Sequence, residues 1–197
     1  MHHREKNMRK EIHRQFIHFV GGNLAIGVLS ATLLLGIEKW ILVAVLIAAF
    51  MIGYLLAKRV QKGHKVTIIH DLIKHVEREE EKKDFPAKPA FLLLAGIIFT
   101  IALFDPLPAI IGIVVLTYGD TVATLIGKYS GKIELISNRT LEGTVAGIIA
   151  ATIPLLFLLD PSKAIGIAIV GMLAEYLPID DNIGIPLVGA LAAKLLI

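Results

Sequence analysis

The sequence predicts an all-α fold, a polytopic integral-membrane bundle of about seven transmembrane helices with a cytoplasmic N-terminus. Hydrophobic residues make up 55% of the 197 residues, and the mean hydropathy is +0.73. These residues come in blocks separated by polar clusters, which is typical of a polytopic membrane protein. With the N-terminus inside, 17 of the 20 Lys and Arg residues fall in the inner segments, as the positive-inside rule requires.

Seven apolar stretches are the predicted transmembrane helices. They are residues 16–37, 40–57, 91–104, 107–126, 144–159, 164–177 and 183–197. The third, sixth and seventh are shorter than the ~20 residues that cross ~30 Å of hydrocarbon, so tilt, local thinning or a partly re-entrant path is allowed for them. The whole chain, 1–197, is therefore predicted to be one membrane-embedded domain of the cell membrane.

The predicted inner segments are longer than the outer connections, so the active face is predicted to be cytoplasmic. Residues 1–15 form a basic head. Residues 66–83 carry apolar side chains at helical spacing followed by a charge run, which predicts an interfacial amphipathic helix. The third inner segment is the loop 127–143. The chain has no cysteine, which excludes disulfides and thiolate metal sites.

Asp120 is an acid inside the fourth predicted helix. It lies 13 residues after Leu107, about 20 Å along a helix that rises ~1.5 Å per residue. A carboxylate at that depth usually faces the bundle interior or a wet cavity. Ala123, Thr124 and Gly127 continue the same side, so this face is either a small-residue packing seam with one satisfied acid or a surface that a phosphate approaches closely.

The loop 127–143 combines glycines, basic residues and hydroxyls, as phosphate-binding loops do. Its candidate residues are Gly127, Lys128, Ser130, Gly131, Lys132, Ser137, Arg139 and Thr140. It is not a P-loop, because the required glycine spacing and the Ser or Thr after Lys128 are missing. The alternative interpretation is a positive loop that only sets the membrane topology.

Two further polar clusters are predicted at the same membrane face. One consists of Glu175 with Asp180, Asp181 and Asn182, and the other of Glu11, Arg14 and His18. The first offers the oxygen ligands that Mg²⁺ prefers, although Asp and Asn also cap helices. The second lies on one helical face at the membrane entrance, where a juxtamembrane anchor is the alternative.

Taken together, these residues resemble the CTP-dependent polyprenol kinase family, which includes dolichol and phytol kinases and CTP-dependent diacylglycerol kinases. The resemblance covers most of the chain and rests mainly on Asp120, Ala123, Gly127, Gly131, Arg139, Thr140, Glu142 and Gly143. The N-terminal Glu11, Arg14 and His18 and the C-terminal Asp181-Asn182 are also similar to the family pattern. Gln15 and Asn138 depart from it, since basic residues are usual at both positions.

The resemblance implies a Mg²⁺-dependent kinase that transfers the γ-phosphate of CTP to the hydroxyl of a long-chain isoprenoid alcohol or a related lipid alcohol. The implied catalytic residues are Asp120, His18 and Arg14. The implied nucleotide-binding residues are Gly127, Lys128, Gly131, Lys132, Arg139, Thr140, Glu142 and Gly143. The implied Mg²⁺ ligands are Asp120, Glu142 and Asp181. The predicted partners are a membrane lipid or prenol and a nucleotide, with no nucleic acid, and homo-oligomerisation is left open.

Two alternatives remain at the level of the sequence. Phosphatidate cytidylyltransferases are distantly similar and also use CTP, but their C-terminal His-Gly-Gly and Asp-Arg signature is missing here. A non-enzymatic transporter or scaffold could use Asp120 and Glu175 as a proton or cation path. Against this second alternative, the sequence shows no convincing internal repeat and almost no polar entrance on the predicted outer side.

Overall fold

The computed structural model of the chain describes residues 2–62, 87–136 and 139–197, and helices account for most of them. The helices are α1 (His2–Leu34), α2 (Lys39–Gln61), α3 (Lys88–Leu103), α4 (Pro106–Val114), α5 (Thr121–Ser130), α6 (Leu141–Leu155), α7 (Pro161–Leu173) and α8 (Asp181–Leu196). A π-helical segment, Val115–Asp120, joins α4 to α5, and a 3₁₀ turn, Ala174–Tyr176, follows α7. These ranges contain no strand, and an isolated bridge pairs Glu134 with Thr140. The all-α prediction is confirmed; the predicted amphipathic helix at 66–83 lies outside the described residues.

Three helices in the described ranges are long and apolar enough to cross a membrane. They are Met8–Leu34, Lys39–Gln61 and the continuous helix Pro106–Ser130. The helices Lys88–Leu103 and Leu141–Leu155 are apolar but shorter. This indicates membrane association. All seven predicted apolar stretches are helical, but the count of seven spans stays a prediction.

The helix Pro106–Ser130 forms the centre of the bundle. In its most apolar window 72% of the residues are buried, against 17% in the corresponding windows of α1 and α2. Side chains on these two outer helices, such as Phe16 and Trp40, are largely exposed. An apolar surface this extensive is the kind that faces lipid.

Small residues let the central helices approach one another closely. A Cβ added at Gly112 would collide with the carbonyl oxygen of Pro186 and would lie 2.8 Å from the backbone nitrogen of Ala190. Gly189 faces Gly112 from α8, and Gly171 of α7 packs beside Gly189. Because lipid supplies no hydrophobic drive between helices, such close backbone contact is a main source of their association.

Proline also shapes the start of α8. Pro186 has no N–H, so the carbonyl oxygen of Asn182 lacks its usual partner four residues later. Gly96 of α3 lies directly against this oxygen, where any Cβ would collide with it. The first turn of α8, which carries Asp181 and Asn182, is thereby held close to α3.

The π-helical segment interrupts the central helix and ends at Asp120. Such segments add a residue to a helical turn and often occur at functional sites. Within it, the Thr117 hydroxyl donates to the carbonyl of Ile113 at 2.7 Å, and the Tyr118 hydroxyl donates to Asn23 Oδ1 of α1 at 2.8 Å. The segment therefore changes the direction in which α5 presents its side chains while keeping contact with α1.

We predict that Gly112→Ala destabilises the protein by about 1–3 kcal/mol, because the new methyl group meets backbone atoms that cannot move aside. The matched control is Gly27→Ala on α1, where an added Cβ has nothing within 4 Å. Thermal unfolding in detergent, followed by the loss of helical circular dichroism, should show a lower Tm for Gly112→Ala only. Equal Tm values for the two variants would contradict the packing described above.

Candidate functional site

A polar cavity of about 350 Å³ lies at one end of the bundle, where α1, α3, α6 and α8 begin and α5 and α7 end. Nine of the predicted site residues line it: Arg14, His18, Asp120, Gly127, Lys128, Arg139, Thr140, Gly143 and Asp181. Gly131, Lys132 and Glu142 are not part of the lining. Residues from distant parts of the sequence thus meet in one cavity of a size typical of small-molecule sites.

The cavity lining is rich in charge and formally balanced. Its four cationic side chains are Arg14, Lys88, Lys128 and Arg139, and its four carboxylates are Asp120, Glu175, Asp180 and Asp181. An anion that enters such a cavity meets strong donors and also repelling carboxylates. A bound cation that arrives with the anion would remove this repulsion.

Glu11 connects α1 to α5 beside the cavity. Its side chain is 2% exposed, and its carboxylate lies 2.7 Å from Arg14 Nη2 and 2.7 Å from Lys128 Nζ. Gln15 Nε2 also donates to it, at 3.3 Å. A buried carboxylate needs such partners to offset its lost hydration, and the ion pair of Glu11 with Lys128 joins α1 to α5.

Arg139 makes the equivalent connection on the opposite wall. It forms an ion pair with Asp181 of α8, and its Nε lies 3.9 Å from Glu175 Oε2. The buried Glu175 carboxylate also accepts a hydrogen bond from the hydroxyl of Thr144 in α6, and that hydroxyl lies 2.7 Å from the Tyr176 hydroxyl. The connection after α5, the start of α6, the 3₁₀ turn and α8 are therefore held together by polar contacts.

Asp120 lies at the deep end of the cavity. It is 6% exposed, and Thr124, one turn later, donates to its Oδ1 at 3.3 Å. A charged side chain at the centre of a membrane helix costs ~3 kcal/mol on insertion scales, so such a group is expected to face a protein cavity. Asp120 does so.

Among the buried polar atoms of the lining that have no hydrogen-bond partner in the described ranges are His18 Nε2, Gln15 Oε1 and Asn182 Oδ1. The orientations of both amides follow from their neighbours. The Nε2 of Gln15 lies at the Glu11 carboxylate, and the Nδ2 of Asn182 donates to Asp180 at 2.8 Å. Both carbonyl oxygens are therefore left for another group. Buried polar atoms are rarely unsatisfied in proteins, so these three indicate a ligand or bound water.

Gln15 cannot act as a hydrogen-bond donor to phosphate in place of the lysine that is usual at its position in the resembled kinases. Its amide nitrogen is used by Glu11, and the atom without a partner is a carbonyl oxygen, which repels phosphate oxygens. Of the neighbouring residues Arg14 and Gln15, Arg14 is the one whose side chain carries a positive charge into the cavity. Asn138, the other departure, lies outside the described residues.

The predicted loop 127–143 is partly helical. Helix α5 continues to Ser130, so the first four residues of the loop belong to α5. The carboxylate of Glu142 accepts the backbone N–H groups of Lys132 at 3.1 Å and Ile133 at 3.3 Å. Hydrogen bonds from its own backbone N–H and from that of Lys132 hold the pKa of Glu142 below its ordinary value. In this position Glu142 stabilises the turn after α5.

The glycines of this segment pack α5 against the start of α6. A Cβ on Gly127 would lie 2.9 Å from the Thr140 hydroxyl, and one on Gly143 would lie 3.0 Å from Gly127 Cα. A Cβ on Gly131 would collide with the carbonyl oxygen of Gly127 and lie 2.7 Å from the Thr140 hydroxyl. Gly131 therefore packs against neighbouring protein atoms, as the packing-seam interpretation predicts, and does not line the cavity. Gly127 and Gly143 also line the cavity, and their role in nucleotide binding stays a prediction.

In the described part of the chain, no group of three or more His, Asp or Glu side chains is placed to hold a metal ion. The predicted set of Asp120, Glu142 and Asp181 is not assembled. Glu142 is turned to backbone N–H groups and does not line the cavity. Asp120 and Asp181 both line it, and Asp181 is paired with Arg139.

Two buried carboxylates that hold the walls of the cavity together, Glu11 and Glu175, were not among the predicted catalytic, nucleotide-binding or metal-binding residues. Glu11 and Glu175 stood out in the sequence as members of polar clusters, yet nothing in the local pattern indicated that one would pair with Lys128 and the other with Arg139 and Thr144. Only the packing of the helices brings these partners together.

Comparison with known proteins identifies a relative in Methanocaldococcus jannaschii, "Uncharacterized protein MJ1137". It is 32% identical over 190 residues, covering 92% of this chain and 91% of the relative. No protein-family model matches the chain, and no solved structure matches it.

We predict that Glu142→Ala loosens the turn after α5, so that the amides of Lys132 and Ile133 exchange hydrogen faster at neutral pH. The lowered pKa of Glu142 sets the sign of the pH effect: its stabilisation is present above the ordinary Glu pKa and is lost as the pH falls through the lowered value. Hydrogen exchange with mass spectrometry, corrected for intrinsic rates, should therefore show the wild type approaching the variant in acid. The control is Glu134→Ala, and equal protection in all three proteins would contradict the role of Glu142.

Proposed function

The chain belongs to the same family as the Methanocaldococcus jannaschii protein MJ1137, and we propose that it is a membrane-embedded lipid kinase. The proposed reaction transfers the γ-phosphate of CTP to the hydroxyl of a long-chain isoprenoid alcohol or a related lipid alcohol. The observation that carries the proposal is the polar cavity, which brings cationic, carboxylate and unsatisfied groups together at the end of an apolar bundle.

The cationic side chains support binding of a triphosphate. Arg14, Lys128 and Arg139 reach the cavity from α1, α5 and the segment before α6. Arg and Lys form the strongest hydrogen bonds that proteins make to phosphate oxygens. Phosphoryl transfer requires mainly positioning and neutralisation of charge, which cations on several walls of one cavity can provide.

The carboxylates and the Asn182 carbonyl support a Mg²⁺ ion that arrives with the nucleotide. Mg²⁺ prefers oxygen ligands, and at phosphoryl-transfer sites it is usually held by one or two carboxylates together with substrate phosphates and water. Asp120 and Asp181 are the proposed ligands. The buried Oδ1 of Asn182, which has no partner among the described residues, fits the same donor set. When bound, the ion would neutralise charge on the transferred phosphoryl group.

The deep end of the cavity provides two candidate bases. In the proposed step the lipid hydroxyl oxygen forms a bond to the γ-phosphorus, and the bond from that phosphorus to the β–γ bridging oxygen breaks. The bond electrons leave with CDP, and the hydroxyl proton passes to His18 Nε2 or to the Asp120 carboxylate. His18 Nε2 is buried and free to accept, since no described group hydrogen-bonds to it.

The proposed topology places this cavity at the cytoplasmic face of the cell membrane, with seven spans and the N-terminus inside. The basic residues of the chain support this orientation, because they concentrate in the segments at the cavity end. A transport function fits less well. Between Pro106 and Asp120, the side chains that the central helix buries are mostly apolar, such as Ile113, Val114 and Val115.

The proposal predicts the fate of labelled phosphate. Purified protein incubated with γ-labelled CTP, Mg²⁺ and an isoprenoid alcohol should transfer the label to the lipid and release CDP. A cytidylyltransferase attacks the α-phosphorus instead, so the label would appear in pyrophosphate and cytidine would appear on the lipid. That outcome, or no reaction with any prenol or diacylglycerol, would overturn the kinase proposal.

A second prediction concerns Asp120. Asp120→Asn should lower kcat by a factor of about a hundred or more, because it removes a carboxylate that stabilises the transition state, each factor of ten being ~1.4 kcal/mol. Arg139→Ala should in addition raise the KM for CTP, since it removes a contact made to the bound nucleotide. Asp105→Asn, an exposed acid before α4, is the control. Full activity of Asp120→Asn would remove Asp120 from the mechanism.

A further inference from the structure

A second cavity, also of about 350 Å³, lies between α1, α2 and α3, and its walls are almost entirely apolar. Gly21 and Ala25 of α1, Leu42 and Leu46 of α2, and Leu93 and Ile97 of α3 are among the residues that line it. We call it the apolar groove. Neither the phosphate-binding groups nor the metal ligands of the proposed function lie in it.

The apolar groove begins where the polar cavity ends. On α1 the polar cavity is lined up to His18 and the groove begins at Gly21, about 4.5 Å further along the helix axis. On α3 the polar cavity is lined up to Leu92 and the groove begins at Leu93. Two helices therefore form walls of both cavities, and each wall changes from polar to apolar within one turn.

We propose that the apolar groove binds the hydrocarbon chain of the lipid alcohol, with its hydroxyl at His18 and Asp120. This inference rests on the proposed kinase function and adds the location of the acceptor. A molecule with a polar head and an apolar chain matches a polar cavity that has an apolar groove next to it. Neither a soluble alcohol nor a nucleotide would use the second one.

The exposed rim of the groove supports entry of a lipid chain directly from the bilayer. Leu24 and Val45, which line it, are 66% and 59% exposed, so they lie at an open rim that faces lipid. A chain can enter sideways through this opening without leaving the hydrocarbon. Its hydroxyl then reaches the polar cavity from within the membrane, while CTP reaches it from water.

The length of the groove predicts its selectivity. From Leu93 to Ile101 on α3 it extends about 12 Å along the helix axis, which encloses only the part of the chain next to the hydroxyl. The remainder must lie in the bilayer. The protein should therefore distinguish acceptors by structure near the hydroxyl, and it should accept long chains of different total length.

The test fills the groove with a large side chain. Gly21→Phe places a ring in it, and the new Cβ meets Leu93 at an ordinary distance of 3.5 Å, so the helices need not separate. Gly27→Phe is the matched control, the same exchange on the same helix at an exposed site with nothing within 4 Å of the new Cβ. We expect Gly21→Phe to raise the KM for a long isoprenoid alcohol about tenfold or more, leaving the KM for CTP and the turnover of a short soluble alcohol unchanged. Equal KM values for the two variants and the wild type would overturn the proposal.

A binding measurement separates failure of this inference from failure of the kinase proposal. The probe is an isoprenoid alcohol with a diazirine in its second isoprene unit. In wild-type protein it should label the α1 and α3 segments of the groove, with competition by unlabelled alcohol, and Gly21→Phe should reduce this labelling while Gly27→Phe does not. Such labelling without phosphoryl transfer would support the groove and refute the kinase. Labelling that is unchanged in Gly21→Phe, or displaced equally by added phospholipid, would refute the groove even in an active enzyme.

Discussion

The buried carboxylate of Glu11 is the contact on which the cavity depends most. It is almost wholly removed from solvent and accepts from Arg14, Gln15 and Lys128, so it requires α1 and α5 to meet in one register. Removing one partner of a buried ion pair typically costs 3–5 kcal/mol, since the other charge is left without compensation. The same register places His18, about two turns further along α1, in the cavity that Asp120 of the central helix also lines.

The rest of the bundle supports this polar end by close packing. Around the cavity, helices are joined by ion pairs and hydrogen bonds; deeper in the bundle they are joined by contacts of Gly112, Gly171 and Gly189 with neighbouring backbone. Backbone contacts of this kind adjust poorly, so they provide a rigid base. A cluster of charges that is costly to bury can then be kept in one arrangement.

Hydropathy predicted the helices well, because long apolar runs leave the backbone no alternative to helix in lipid. The cost of exposing a carboxylate to lipid also predicted correctly that Asp120 faces a cavity inside the bundle. Contacts between distant segments could not be predicted, and the Glu11–Lys128 pair is one example. Glu142 shows a different limit: the family resemblance implied a Mg²⁺ ligand, and the structure directs its carboxylate to two backbone N–H groups in the turn after α5. The end of α5 at Ser130, rather than before Gly127, likewise depends on packing against Thr140.

The π-helical segment Val115–Asp120 sets the rotation of one side of the central helix relative to the other. If this segment took regular α-helical geometry with the same number of residues, the two sides of the helix would be rotated relative to one another by about 100°. Either Asp120 and Lys128 would no longer point toward α1, or Gly112 would lose its backbone contact with α8. In the evolution of this family, a change that makes this segment α-helical without removing a residue would therefore be harder to accept than many other changes, because it requires one of two interfaces to be rebuilt at once.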